Sequence, residues 1–273
     1  MAHHVCSGTA ISVVTGTGKL VVVGPTQQIS IQYIWKFANL SNILKEDGYT
    51  PIDTIGDAIF YFNTDPIEIM AGMNPSFIWP DQLDDFRIVA CKYGVVNGHP
   101  CMVEAGQVSN GVHAGYVAVV PGYKTVFIAY RITGIPESNE PLFSLGTFCM
   151  RILPNDNTKV GSEDIDPPIG VPLGTNGTIC VLGIQFALSG SSTDFAYIGT
   201  DDTSVTRVQN SWFNNATPAG VDDAQQLLLG TWSAHPEYPS PPMEWYEIRY
   251  YSNNSMSDGE MIQIRNEIKA QYE

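Results

Sequence analysis

The sequence predicts an all-β fold, a jelly-roll β-sandwich of short strands closed by one C-terminal helix. Three observations carry that prediction. Short apolar runs recur along all 273 residues and are broken by Gly, Pro, Asn and Asp, with 25 Gly and 18 Pro scattered instead of clustered; many short strands with frequent turn signals point to a sandwich or barrel. Hydrophobic residues make up 44% of the chain, enough to fill the core between two sheets. The stretch with the clearest helical spacing is the last one, residues 257–273.

In the first part of the chain, strands are expected over residues 18–24, 28–37, 58–63, 86–94 and 100–106. They continue over 115–120, 125–132, 142–153, 178–188, 195–200, 226–232 and 244–252. Within 125–132, Val126, Ile128 and Tyr130 share one face, while Phe127, Ala129 and Arg131 share the other. Both faces are partly apolar, which fits an inner strand of a packed sandwich. Residues 39–50 are expected as a short helix, with Leu40, Ile43 and Leu44 on a stripe that ends before Gly48. Pro154 to Gly177 reads as a long polar loop, a functional excursion and not a domain boundary. At the C-terminus, Ser257 followed by Glu260 fits a capping box that satisfies two free amides. Met261, Ile264, Ile268 and Tyr272 then fall at helical spacing and would dock one face on the sandwich.

Charge narrows the partners. Thirteen Lys and Arg against 28 Asp and Glu leave a formal net charge of −15. The basic residues stand singly, so no nucleic-acid partner is expected. No window approaches the ~20 apolar residues of a membrane span, and the first residues lack the charged start and apolar run of a signal peptide. Synthesis in a host cytoplasm is the expectation. The five cysteines, Cys6, Cys91, Cys101, Cys149 and Cys180, form no CxxC pair. Buried reduced thiols packing as small hydrophobes are expected, although Cys91 and Cys101 flank a turn and are the pair open to bridging.

The C-terminal third carries a family resemblance. The runs TICVLGIQFALSG, FAYIGT, QLLLGTW and the closing MEWYEIRYYSNNSMSDGEMIQIRNEIKAQYE occur in that order. They resemble the concanavalin A-like lectin/glucanase superfamily, in particular its laminin-G-like members in bacteriophage and bacterial surface proteins. The matching positions are Gly230, Glu247 to Tyr250, Ser257, Asp258, Glu260, Lys269 and Tyr272. More loosely, residues 34–50, 97–106 and 123–146 look like the family's opening strand, its NGKP-type strand entry and its central strand pair. His99 stands where the family has Lys, and Glu104 interrupts an apolar alternation. The resemblance implies one laminin-G-like, concanavalin A-like domain over 31–273, preceded by an arm or extra strand over 1–30.

Candidate chemistry is sparse. Glycoside hydrolysis needs two carboxylates facing one bond, ~5–5.5 or ~6.5–9.5 Å apart. Glucanases of the superfamily carry theirs as an alternating ExDxxE on one strand, and Glu163 to Asp166 sit instead among prolines and glycines. His99, His113 and His235 have no serine in a G-x-S-x-G elbow beside them. His and Cys lack metal-ligand spacing. Calcium has hard oxygen donors at Asn155 to Asn157, Glu163 to Asp166 and Thr200 to Thr203 but no EF-hand loop, so no cofactor is expected. Sugar binding needs an aromatic platform with amides or carboxylates beside it. Trp212 with Asn214 and Asn215, and Trp232 with His235 and Tyr238, are the two candidates.

The leading expectation from the resemblance is a non-enzymatic structural protein of a phage virion, a capsid decoration or fibre/tail component. It would sit on the virion surface as a homo-oligomer beside major capsid or tail/fibre subunits. The alternative is a carbohydrate-binding module that attaches to host or environmental glycans. A divergent glycoside hydrolase stands third.

Overall fold

The computed structural model describes residues 12–13, 20–23, 29–36, 43–44, 55, 58–63, 85–104, 113–118, 123–145, 148–153, 156–162, 165–166, 169–187, 192–213, 224–230, 232, 238–253 and 255–273. The first strands are β1 (Ser12–Val13), β2 (Leu20–Val23), β3 (Ile29–Lys36), β4 (Ile43–Leu44), β5 (Ala58–Asn63), β6 (Asp85–Val96) and β7 (His99–Glu104). Next come β8 (His113–Ala118), β9 (Tyr123–Ile132), β10 (Pro141–Leu145), β11 (Phe148–Leu153), β12 (Asp156–Ser162) and β13 (Ile165–Asp166). The last are β14 (Ile169–Pro172), β15 (Ile179–Ala187), β16 (Ser192–Ile198), β17 (Thr206–Phe213), β18 (Ala224–Leu229) and β19 (Met243–Asn253), followed by helix α1 (Asp258–Lys269).

Among the described residues these strands form two antiparallel sheets. The larger has 13 strands in the order β13-β17-β16-β15-β9-β19-β7-β6-β5-β4, with β3, β2 and β1 branching from β19. The smaller has six, in the order β14-β12-β11-β10-β18-β8. Strand β19 is the hub. It pairs with β9 from Met243 to Asn253, with β7 at Glu244 and Trp245, and with β3 from Glu247 to Ser252. The register with β9 skips Tyr246, a bulge that changes which side chains face which layer.

Alternation explains the layers. Ile248, Ile128 and Leu182 stand opposite one another on β19, β9 and β15 and are all buried. Phe186 of β15 meets the small sheet, stacked on Phe148 at 4.0 Å and tilted against Phe143 at 6.4 Å. The opposite face of the large sheet packs on α1. There Phe127, Ala129, Val181, Ile198 and Tyr246 form one cluster with Met261 and Ile268. Gly183 sits under Phe127, and a Cβ there would lie 2.4 Å from the ring, so only glycine leaves the phenylalanine its place. The expected burial of both faces holds from Thr125 to Tyr130 and at Ile132, while Arg131 is half-buried.

The C-terminal helix starts as expected. Ser257 is the N-cap, the Glu260 amide donates to its Oγ at 3.3 Å, and Glu260 Oε2 accepts from the Ser257 amide at 2.8 Å. Met261 and Ile268 are buried; Ile264 is half-buried, as is Tyr272 just beyond the helix. Cys101, Cys149 and Cys180 are buried and reduced. No bridge therefore joins Cys101 to Cys91. Burial, aided by nearby Glu244, pushes the Cys101 thiol up to about 12, which keeps it protonated and inert.

Several expected elements are corrected. Within 39–50, Ile43 and Leu44 form β4, opposite Phe62 and Tyr61, not part of a helix; the remainder lies outside the described residues. A single turn has little helical stability of its own, and strand pairing overrides it. The expected loop 154–177 holds β12, β13 and β14. Its polar composition fits its place at the rim of the small sheet, where β14 is the edge strand and carries Pro172. Val160 and Val171 pair across β12 and β14 and are fully buried, and they supply the apolar face. Ile165 and Asp166 are likewise strand, not loop. The run 142–153 is a hairpin of two strands in which Leu145 pairs with Phe148.

Candidate functional site

Strand β18 ends at Leu229, and the positive φ of 59° at Gly230 turns the chain off the small sheet. A side chain there would meet Ser240, which donates from Oγ to the Gly230 carbonyl at 2.7 Å. That clamp closes the base of the loop carrying Trp232 and Tyr238. Both aromatic residues are half-buried. Their ring centroids lie 6.4 Å apart with planes at 40°. The Arg151 guanidinium of β11 lies 5.8 Å from the Trp232 ring centre, a cation–π contact of the kind worth about 0.5–2 kcal/mol. Arg151 is itself fixed, donating from Nη1 to Asn139 Oδ1 at 2.8 Å. Asn139 holds a positive φ of 70° just before β10.

Of the six residues expected at a sugar site, the structure brings Trp232 and Tyr238 together. Trp212 lies on β17, its main chain opposite Ser192 and Asp166, so its position is in a strand. Its side chain, and all of Asn214, Asn215 and His235, lie outside the described residues. Arg151 and Asn139 went unread in the sequence because neither is near Trp232 in the chain.

Acidic side chains gather elsewhere, under α1. Glu244 accepts from Arg131 Nε at 2.6 Å and Nη2 at 2.7 Å, and from the Tyr246 hydroxyl at 2.8 Å. Glu247, fully buried, accepts from Arg249 Nε at 2.5 Å and from the Tyr272 hydroxyl at 3.1 Å. Burial raises the Tyr246 and Tyr272 phenols, as do these carboxylates. Glu247 thus ties β19 to the C-terminal segment and Glu244 ties β19 to β9, and neither lines the grooves described next.

A concave surface lies where three segments converge: the turn 173–178 before β15, the turn 199–202 after β16, and the C-terminal end of α1. It forms a groove of about 270 Å³ lined by Thr175, Thr178, Thr200, Asp201, Lys269 and Tyr272, among others. A second hollow of about 140 Å³ shares Thr175, Thr178, Thr200 and Asp201 and reaches under the first turn to Tyr130 and Cys180. Arg265 fixes one wall, donating from Nη1 to the Gly199 and Thr200 carbonyls at 2.5 Å each and from Nη2 to Asp202 O at 2.6 Å. Among the described residues no group of three or more His, Cys, Asp or Glu is placed to hold a metal ion.

No family model and no curated protein sequence matches the chain. Solved structures do. A Trypanosoma rangeli sialidase in complex with sialic acid is similar at TM-score 0.48 and 8% identity, over 90% of this chain and 43% of that one. The CBM40 domain of the Ruminococcus gnavus IT-sialidase is similar at TM-score 0.37 and 17% identity, over 59% of this chain and 95% of that one. A GH54 α-L-arabinofuranosidase is similar at TM-score 0.40 and 9% identity, over 69% of this chain and 44% of that one. The chain spans under half the length of the trypanosomal sialidases it matches. The expectation of a non-enzymatic chain is corrected by these matches, since sialidases and an arabinofuranosidase stand among them beside the carbohydrate-binding module.

Proposed function

We propose that this chain is a carbohydrate-binding β-sandwich domain of the concanavalin A-like, laminin-G type, with Trp232 and Tyr238 as its sugar platform. His235, between them in the sequence, is proposed as a further contact, and Trp212, Asn214 and Asn215 as a second contact region. The observation that carries this reading is the pairing of Trp232 and Tyr238 at 6.4 Å, both half-buried. A pyranose has an apolar C–H face and a rim of hydroxyls. Two rings inclined to one another receive that face, and the Tyr238 hydroxyl meets the rim, the Trp232 Nε1 being buried. Arg151 and the Gly230–Ser240 clamp hold the indole before any sugar arrives, which lowers the ordering cost of binding.

The resemblance to phage surface proteins supports one setting for this activity, display on a virion as a homo-oligomer beside capsid or tail subunits. Mass spectrometry of purified particles from the source tests that setting. The binding activity is tested by a glycan-array screen of the purified chain, run with calcium and again with a chelator. Specific binding of a glycan class is the expected result, and a blank array with folded protein would overturn the reading. Loss on chelation would make the Asp-rich turns calcium ligands.

A further inference from the structure

We infer that the groove at the C-terminal end of α1 is a second binding site, for a neutral, hydroxyl-rich ligand the size of one sugar ring. Its size, its lining chemistry and its rigidity point the same way. At about 270 Å³ it falls just below the ~300–1,000 Å³ of sites for drug-sized ligands, so it admits one ring and not a chain. Thr175 and Thr178 line it from one side and the Thr200–Asp201 turn from another. Thr178 and Thr200 donate their protons to Thr175 O and Val181 O, so what these hydroxyls and the Asp201 carboxylate offer is acceptor lone pairs, which suit the O–H donors of a polyol. Ile179 and the Tyr272 ring add an apolar wall for C–H groups.

Charge decides between neutral and anionic ligands. Lys269 is the cation lining the groove among the described residues. It already lies 3.0 Å from Asp201 and 3.4 Å from Glu273. An anion would have to displace one of these carboxylates and face the other. A neutral polyol can donate to both and leave the ion pairs in place. The walls also need no rearrangement. Arg265 fixes the 199–202 turn through three carbonyls, and Asp202 Oδ2 accepts from the Gly199 amide at 2.7 Å. On the other side Thr178 Oγ1 donates to Thr175 O at 2.9 Å, and the Gly177 amide donates to Ile132 O at 3.1 Å. Such prior fixing favours a small ligand with little binding energy to spend.

The site is separate from Trp232 and Tyr238, so the two readings fail independently. Isotope-labelled protein would be titrated with D-glucose, D-galactose, N-acetyl-D-glucosamine and D-glucuronate while amide resonances are followed. At least one neutral sugar should shift Thr175, Thr178, Thr200 and Asp201 saturably, and more tightly than glucuronate does. The shifts should persist in Trp232→Ala. Thr175 is exposed, so Thr175→Trp fills the groove mouth without disturbing the core, and it should weaken binding at least tenfold. Asp201→Asn should weaken it several-fold while the remaining spectrum is unchanged. No saturable shift at these residues, tighter binding of glucuronate, or equal binding by Thr175→Trp would each overturn the inference.

Discussion

Arg265→Ala should destabilise the protein well beyond an ordinary surface change, because this arginine joins helix to sheet at one point. Its side chain is almost fully buried between α1 and the 199–202 turn. Three carbonyls accept from it at 2.5, 2.5 and 2.6 Å. Net contributions of hydrogen bonds from charged groups run at about 1.5–3 kcal/mol each. A simple total overstates the loss, because Gly199, Thr200 and Asp202 are only half-buried and regain water once the arginine is gone. Burial itself also works against the cation and lowers its pKa. A loss of about 2–4 kcal/mol remains, and with a melting shift of ~2 °C per kcal/mol for a chain of this size the midpoint should fall by several degrees. Urea and thermal unfolding at neutral pH measure it. Arg265→Lys should recover little, since an ammonium cannot serve three carbonyls spread across a planar fork. A loss below about 1 kcal/mol in Arg265→Ala, or wild-type stability in Arg265→Lys, would refute the reasoning.

Three other outcomes are expected. Burial pushes the Glu140 carboxyl up to about 7, and among the described residues its Oε1 has no hydrogen-bond partner. Its folded pKa exceeds the unfolded one, so its cost is absent below pH ~4.5, grows as pH rises, and is complete above pH ~7. Glu140→Gln should therefore stabilise the protein at pH 8 and leave it nearly unchanged at pH 4, as read from urea midpoints; equal effects at both would contradict the assignment. Gly183→Ala places a Cβ 2.4 and 2.7 Å from two Phe127 ring atoms, so overpacking of about 1–3 kcal/mol should lower the unfolding midpoint. Ser257→Ala removes the hydroxyl that accepts from the Glu260 amide and donates to Glu260 Oε2, while the main-chain half of the capping box stays; it should cost about 1 kcal/mol, with amide exchange rising first at Gly259 and Glu260.

Some of this was legible in the sequence, and for definite reasons. The double-sided burial of β9 shows in Val126, Ile128 and Tyr130 alternating with Phe127 and Ala129. The C-terminal helix shows in Ser257, Glu260 and the stripe through Met261 and Ile268, because caps and helical period are local signals. Strand β12 left no such trace: Asp156, Asn157, Thr158 and Lys159 read as a turn, and only pairing with β11 and β14 makes them a strand. The two-residue β4 imitates a helical stripe until its partner β5 is known. Trp232 and Tyr238 were found because they are six positions apart in one aromatic-rich loop. Arg151, which fixes the indole, comes from another strand. The groove residues are scattered over three distant segments, and Asp201 drew notice only as one of an acidic pair. Convergence of that kind is set by register and topology, which no spacing along the chain encodes.

The central claim is that glycans bind on Trp232 and Tyr238. Its most direct test is calorimetric titration of the best array glycan into the wild-type chain and into Trp232→Ala and Tyr238→Ala, each shown folded by its near-ultraviolet spectrum. Removing an anchoring aromatic costs ~2 kcal/mol or more, so Trp232→Ala should weaken binding by roughly 30-fold and Tyr238→Ala by a smaller factor. Undiminished affinity in both variants would contradict the account.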